Sequence, residues 1–113
     1  MIPQRTVEAN EFVLRDLEGK KRAVLGLEDG QPNLVLFDAS GNAKVLLAST
    51  EDGPGLVFYV NGKVRAVLDV MPDGPRLVFY DEQKEVRAIM ALVGDKLGFF
   101  LYDARGEVLW KAP

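Results

Sequence analysis

The charged and reactive side chains of this chain recur at fixed intervals. Asp16, Asp38, Asp81 and Asp103 each open a polar stretch, and Gly19, Gly41 and Gly106 stand three residues after the first, second and last of them. Arg22, Lys44, Arg65 and Arg87 follow those stretches, and Tyr59, Tyr80 and Tyr102 precede them. Three chemistries suit such a set. The Asp-x-x-Gly pattern resembles part of a calcium loop, but calcium takes roughly six to eight oxygens and each turn offers one or two carboxylates. An aspartate that opens a turn is already explained by bonds from its side chain to the backbone two residues on. The cations Arg22, Lys44, Arg65 and Arg87 form a candidate ladder that could hold phosphate, sulfate or an anionic polymer. The plainer reading is that each stem covers neighbouring Leu and Phe while its head pairs with a nearby carboxylate. The net charge of −3 favours the plainer reading and argues against nucleic acid as a partner. The tyrosines suit a sugar or hydrophobic ligand, and equally a strand core, which is the commoner use of aromatic residues.

The chain has no cysteine and no histidine. This removes disulfides, thiolate nucleophiles, Cys/His zinc sites and histidine general bases. The remaining acids and bases sit mostly at recurring turn positions, and a recurring position implies a recurring structural role. No unique polar cluster suggests a catalytic or metal site, and no cofactor is expected. The expectation is a protein that is not an enzyme. No apolar run approaches the roughly 20 residues needed to span a bilayer, and the first residues lack a signal-peptide core. The chain reads as soluble, with an envelope or extracellular location if an anchor once preceded it.

The elements that position these residues are read from one unit of about 22 residues that occurs roughly five times. Its fifth position is Asp16, Asp38, Val60, Asp81 and Asp103, at spacings of 22, 22, 21 and 22. Most units turn through three residues ending in glycine, a type I turn closed at positive φ. The short spacing comes from Asn61-Gly62, a two-residue type I′ pair. Lys84 stands where glycine is expected, at a local cost. Glu51-Asp52-Gly53 and Pro72-Asp73-Gly74 are turn sequences between units. The chain therefore reads as a lead-in over 1–10 and one all-β domain over 11–113. That domain is an antiparallel meander of about ten short strands. Closure into a flattened barrel or sandwich would remove the exposed edges of such a meander. The alternative is an open or solenoid-like stack of hairpins.

Alternation sorts the side chains into two faces. Matching Tyr59 to Val64, Leu68 to Val78 and Leu47 to Val57 gives a core face that includes Val57, Tyr59, Ala66, Leu68, Val78, Tyr80, Ala88 and Met90. The opposite face then mixes the cation ladder with Leu34, Leu36, Leu56, Phe58, Leu77, Phe79 and Leu101, the candidate interface. So much exposed Leu and Phe marks a contact surface, and a homo-oligomer is expected. Two functions fit. One is a non-catalytic structural or interaction module that self-associates or packs in a larger assembly. The other is a β-barrel that carries a small hydrophobic ligand, since ten strands enclose more space than eight.

The pattern Asp-x-x-Gly-x-x-Arg-Ala-x-Leu is carried by Asp16, Gly19, Arg22, Ala23 and Leu25. It returns at Val60, Gly62, Arg65, Ala66 and Leu68, followed by Asp73-Gly74, and partly at Asp81, Arg87, Ala88 and Met90. From about residue 11 to the end, it resembles a tandem repeat of uncharacterised bacterial proteins, some of which carry it after a membrane anchor. The resemblance implies an architecture and an envelope location, and no established activity comes with it.

Overall fold

Runs rich in Val, Leu, Phe and Tyr alternate with Asp/Gly pairs, so extended segments are interrupted at regular intervals by residues that favour turns. In the computed structural model, which describes residues 5–113, these runs form ten strands. They are β1 (Phe12–Arg15), β2 (Lys21–Glu28), β3 (Gln31–Phe37), β4 (Ala43–Thr50) and β5 (Gly53–Val60), then β6 (Lys63–Met71), β7 (Gly74–Tyr80), β8 (Val86–Val93), β9 (Lys96–Tyr102) and β10 (Val108–Ala112). Each pairs antiparallel with the next, giving one sheet in the order β1 to β10. Of the expected lead-in, residues 1–4 lie outside the described residues.

The turns follow their local chemistry. In the hairpins β1–β2, β3–β4, β7–β8 and β9–β10 the aspartate amide donates to the carbonyl four residues on, at 2.9 Å in each case. The residue at the glycine position donates back to the aspartate carbonyl at 3.0–3.1 Å. Hairpin β5–β6 instead turns through Asn61 and Gly62, at φ of 53° and 75°, as a type I′ pair requires. At the opposite end of the sheet the connections are two residues each. Asp29-Gly30, Glu51-Asp52, Pro72-Asp73 and Gly94-Asp95 lie between paired strand ends.

The register differs from the expected one, and a β-bulge is the reason. Tyr59 pairs with Val64, as expected, but the next pair is Phe58 with Ala66, so Arg65 is an extra residue. The same step recurs at Arg22, Lys44, Arg87 and Leu109. A bulge of one residue reverses the facing of everything beyond it. Leu68 therefore pairs with Leu77 rather than Val78, and Leu47 with Leu56 rather than Val57. The expected core face and the expected mixed face thus exchange part of their members.

The sheet stays open: β1 and β10 are its two edges and do not pair with each other. The expected closure into a barrel or sandwich is replaced by the open alternative. The molecule measures 59 × 36 × 25 Å, and its radius of gyration is 18.1 Å. A compact chain of this length would have about 13 Å. Val78, at 3% exposure, is the one buried hydrophobic residue among those described, so the single layer encloses no interior. A barrel lumen for a hydrophobic ligand is therefore absent.

Candidate interaction faces

At each three-residue turn the aspartate side chain closes on its own backbone. Asp16 Oδ1 accepts from the Glu18 and Lys20 amides at 2.9 and 3.0 Å. Asp38, Asp81 and Asp103 repeat both bonds. With both amides on one oxygen, the aspartates make the turn and are not gathered around a shared ion. No group of three or more acidic side chains with metal-binding geometry occurs among the described residues. The amides of Lys20, Asn42 and Glu85 hold the Asp16, Asp38 and Asp81 carboxyls below the ordinary 3.8. A second amide and the nearby cation add to this, and partial desolvation opposes it.

The bulges position the cation ladder. Arg22, Arg65 and Arg87 each donate from Nε to a carbonyl in the next hairpin, at Phe37 (3.3 Å), Tyr80 (2.8 Å) and Tyr102 (2.8 Å). These arginines thus tie one hairpin to the next. The ladder's heads also meet the turn carboxylates: Arg22–Asp16 is 3.6 Å, Lys44–Asp38 3.5 Å and Arg87–Asp81 3.5 Å. All three pairs are solvated, so each contributes little to stability. The plainer sequence reading, in which the heads pair with nearby carboxylates, describes these three positions.

Direct pairing places Val24, Val35, Leu46, Val57, Val67, Val78, Ile89 and Phe100 in one row across the sheet. Phe37, Tyr59, Tyr80 and Tyr102 lie two residues along on the same face, with the bulge cations beside them. Asp69 and Arg76 pair on that face near its other end, at 2.7 and 3.1 Å. Phe100 and Tyr102 stack there with ring centroids 6.3 Å apart.

The other face carries no charge in its three inner rows; its charged strand position among the described residues is Lys63, opposite Val60 at the end of hairpin β5–β6. One row runs Leu14, Ala23, Leu36, Val45, Phe58, Ala66, Phe79, Ala88, Leu101 and Trp110. A second runs Phe12, Leu25, Leu34, Leu47, Leu56, Leu68, Leu77, Met90, Phe99 and Ala112. The third, toward the connections, holds Leu27, Pro32, Ser49, Pro54, Val70, Pro75, Leu92 and Leu97. Phe58, Leu68, Phe79 and Leu101 are 41–47% exposed. Leu68, Leu77, Met90 and Leu97 line a shallow groove of about 210 Å3.

Leu34, Leu36, Leu56, Phe58, Leu77, Phe79 and Leu101 therefore share one face. Arg22, Lys44, Arg65 and Arg87 lie outside its rows, along the margin of the other face. Val45, Leu47, Ala66, Leu68, Ala88 and Met90 belong with the Leu/Phe face and were missed, because the bulge moved them across. The signal for them was size: Ala-x-Leu on the second strand of a hairpin complements Leu-x-Phe on the first.

No family model matches the chain, and neither does any curated protein. Among the described residues no helix is long and apolar enough to cross a membrane.

Proposed function

We propose that the protein is a non-catalytic tandem-repeat interaction module that self-associates through its Leu/Phe face. The observation that carries this reading is the set of three rows without a charge, left open on a single-layer sheet. The chain exposes 8663 Å2, whereas a folded monomer of 12.5 kDa exposes about 6,200 Å2. The Leu, Phe and Val side chains left exposed on these rows form a contiguous apolar patch, and such a patch marks a contact.

A second copy of the chain is the occupant that the face fits. First strands of the hairpins carry Leu36, Phe58, Phe79 and Leu101, and second strands carry Ala23, Ala66 and Ala88 between them. Ridges and grooves thus alternate about every 9.6 Å, twice the strand spacing. A face of this kind is self-complementary, since the ridges of one copy seat in the alanine grooves of a second turned about a twofold axis. Ten strands by three rows give roughly 850 Å2 per copy, close to the 800 Å2 or so of a standard stable interface. The paired product is a two-layer sandwich with a dry centre and the charged faces outward.

The edges favour this closed pair over a head-to-tail fibre. An arginine staple across such a junction would come from residue 109, which is Leu109, onto a strand whose aromatic position is occupied by Arg15. Membership of the bacterial repeat group, with its envelope location, belongs to the same proposal.

Native mass spectrometry tests it. The expected mass is twice 12.5 kDa, about 25 kDa, and Phe58→Glu with Phe79→Glu reduces it to a single chain. A wild-type chain that stays at 12.5 kDa at tens of micromolar overturns the proposal.

A further inference from the structure

The charge pattern of the hairpins breaks in two of them: β9–β10 keeps Asp103 but has Leu109 in place of the cation, and β5–β6 keeps the cation but loses the carboxylate. In β1–β2, β3–β4 and β7–β8 a bulge cation meets the carboxylate of its own turn. In β5–β6 that carboxylate is replaced by Val60, and Arg65 has no ion pair among the described residues. Its Nε rests on the Tyr80 carbonyl at 2.8 Å, which leaves its terminal nitrogens without a carboxylate.

The neighbouring turn departs in the same electrostatic sense. Lys84 takes the place held elsewhere by Gly19, Gly41 and Gly106, at a φ of 67°. A side chain there is strained where glycine is not, so the lysine is present at a cost in stability. Lys63 spans the two turns by donating from Nζ to the Glu82 carbonyl at 2.8 Å. Between them opens a cleft of about 420 Å3, with Tyr59, Lys63, Tyr80 and Lys84 on its walls and Val57 and Val67 at its base. Two cations line it, a third lies beside it, and no carboxylate is among its lining residues.

We propose that this cleft binds a small ligand that joins a phosphate or sulfate group to an aromatic or apolar body. Lys84 and Arg65 face the anionic group, Lys63 closes the rim from its bond to the Glu82 carbonyl, and the rings of Tyr59 and Tyr80 flank the body. Cations without a carboxylate partner retain their donors for an oxyanion. A cleft with apolar walls and a few converging polar groups is the usual form of a small-molecule site. The site opens on the face opposite the proposed dimer contact, with only its rim residue Lys63 rooted on the Leu/Phe side, and it does not depend on that reading.

The test is a 15N–1H NMR titration of the full chain with phenyl phosphate, inorganic phosphate and benzyl alcohol. Phenyl phosphate is expected to give saturable shifts at the amides of Gly62, Lys63 and Lys84. Inorganic phosphate and benzyl alcohol each bind at least tenfold more weakly. The Lys63→Gln, Lys84→Gly double variant restores the glycine that the other turns use and therefore keeps its fold. In it, affinity for phenyl phosphate falls at least tenfold. Absence of saturable shifts in the wild type, equal affinity in the variant, or equal binding of benzyl alcohol overturns the proposal.

Discussion

Asp16, Asp38, Asp81 and Asp103 act locally, each carboxylate taking two backbone amides that the turn would otherwise leave to solvent. For Asp16, Asp38 and Asp81 the charged form is favoured by folding, because the amides and the adjacent cation hold the carboxyl below its ordinary 3.8. Their contribution is fully present above that value and is lost as the pH falls through the lowered folded values. Urea unfolding midpoints are thus expected to hold between about pH 5 and 7 and to drop below about pH 4. Asp81→Asn keeps an acceptor oxygen but loses the charge, so the acid drop is expected to shrink. An unchanged drop in that variant would remove Asp81 from this account. Such short-range chemistry was legible from Asp-x-x-Gly alone, since its partners lie within four residues.

Strands and turns obey a mixture of local and neighbouring constraints. The hairpin glycines answer local geometry: Gly41 has positive φ with nothing within 4 Å of an added Cβ. Gly74 answers to a neighbour. Its φ is 144°, and a Cβ there would overlap the carbonyl oxygen of Leu92 on the adjacent strand β8. Gly74→Ala is expected to destabilise by more than about 2 kcal/mol, because both strain and a backbone collision are imposed. Gly41→Asn, by contrast, is expected to cost less than about 1 kcal/mol, since asparagine tolerates positive φ. Denaturant titration of the two variants measures the difference, and equal losses would contradict the close approach at Gly74. The bulges at Arg22, Lys44, Arg65, Arg87 and Leu109 are the other feature set between strands. Their flanking residues are ordinary strand formers, so pattern alone gave no reason to insert an extra residue. The pairing nearest each turn was readable; the pairing beyond it slipped by one.

At the scale of the whole molecule the sheet is one layer, and its Leu/Phe face is left open. If a second copy covers that face, stability is inseparable from association. Each tenfold rise in protein concentration contributes about 1.4 kcal/mol to the folded dimer. For two chains of 113 residues this raises the Tm by about 3 °C. Calorimetry across two decades of concentration checks it, and a Tm independent of concentration would speak for a sheet that is stable alone. The cleft at Lys63 and Lys84 has the same long-range character, because its walls come from the two neighbouring hairpins β5–β6 and β7–β8.

By itself the sequence determined the all-β class, the number of strands, the turn types and the lack of histidine and cysteine chemistry. Each of these rests on residue type or on contacts within a few positions. Only the tertiary structure decided which side chains share a face, that the sheet remains open, and that the cations stand apart from the Leu/Phe rows. Facing has a period of two, so one bulged residue per hairpin reverses it without altering any local preference. Closure depends on whether β1 and β10 can meet across the whole sheet, a condition that no single repeat encodes.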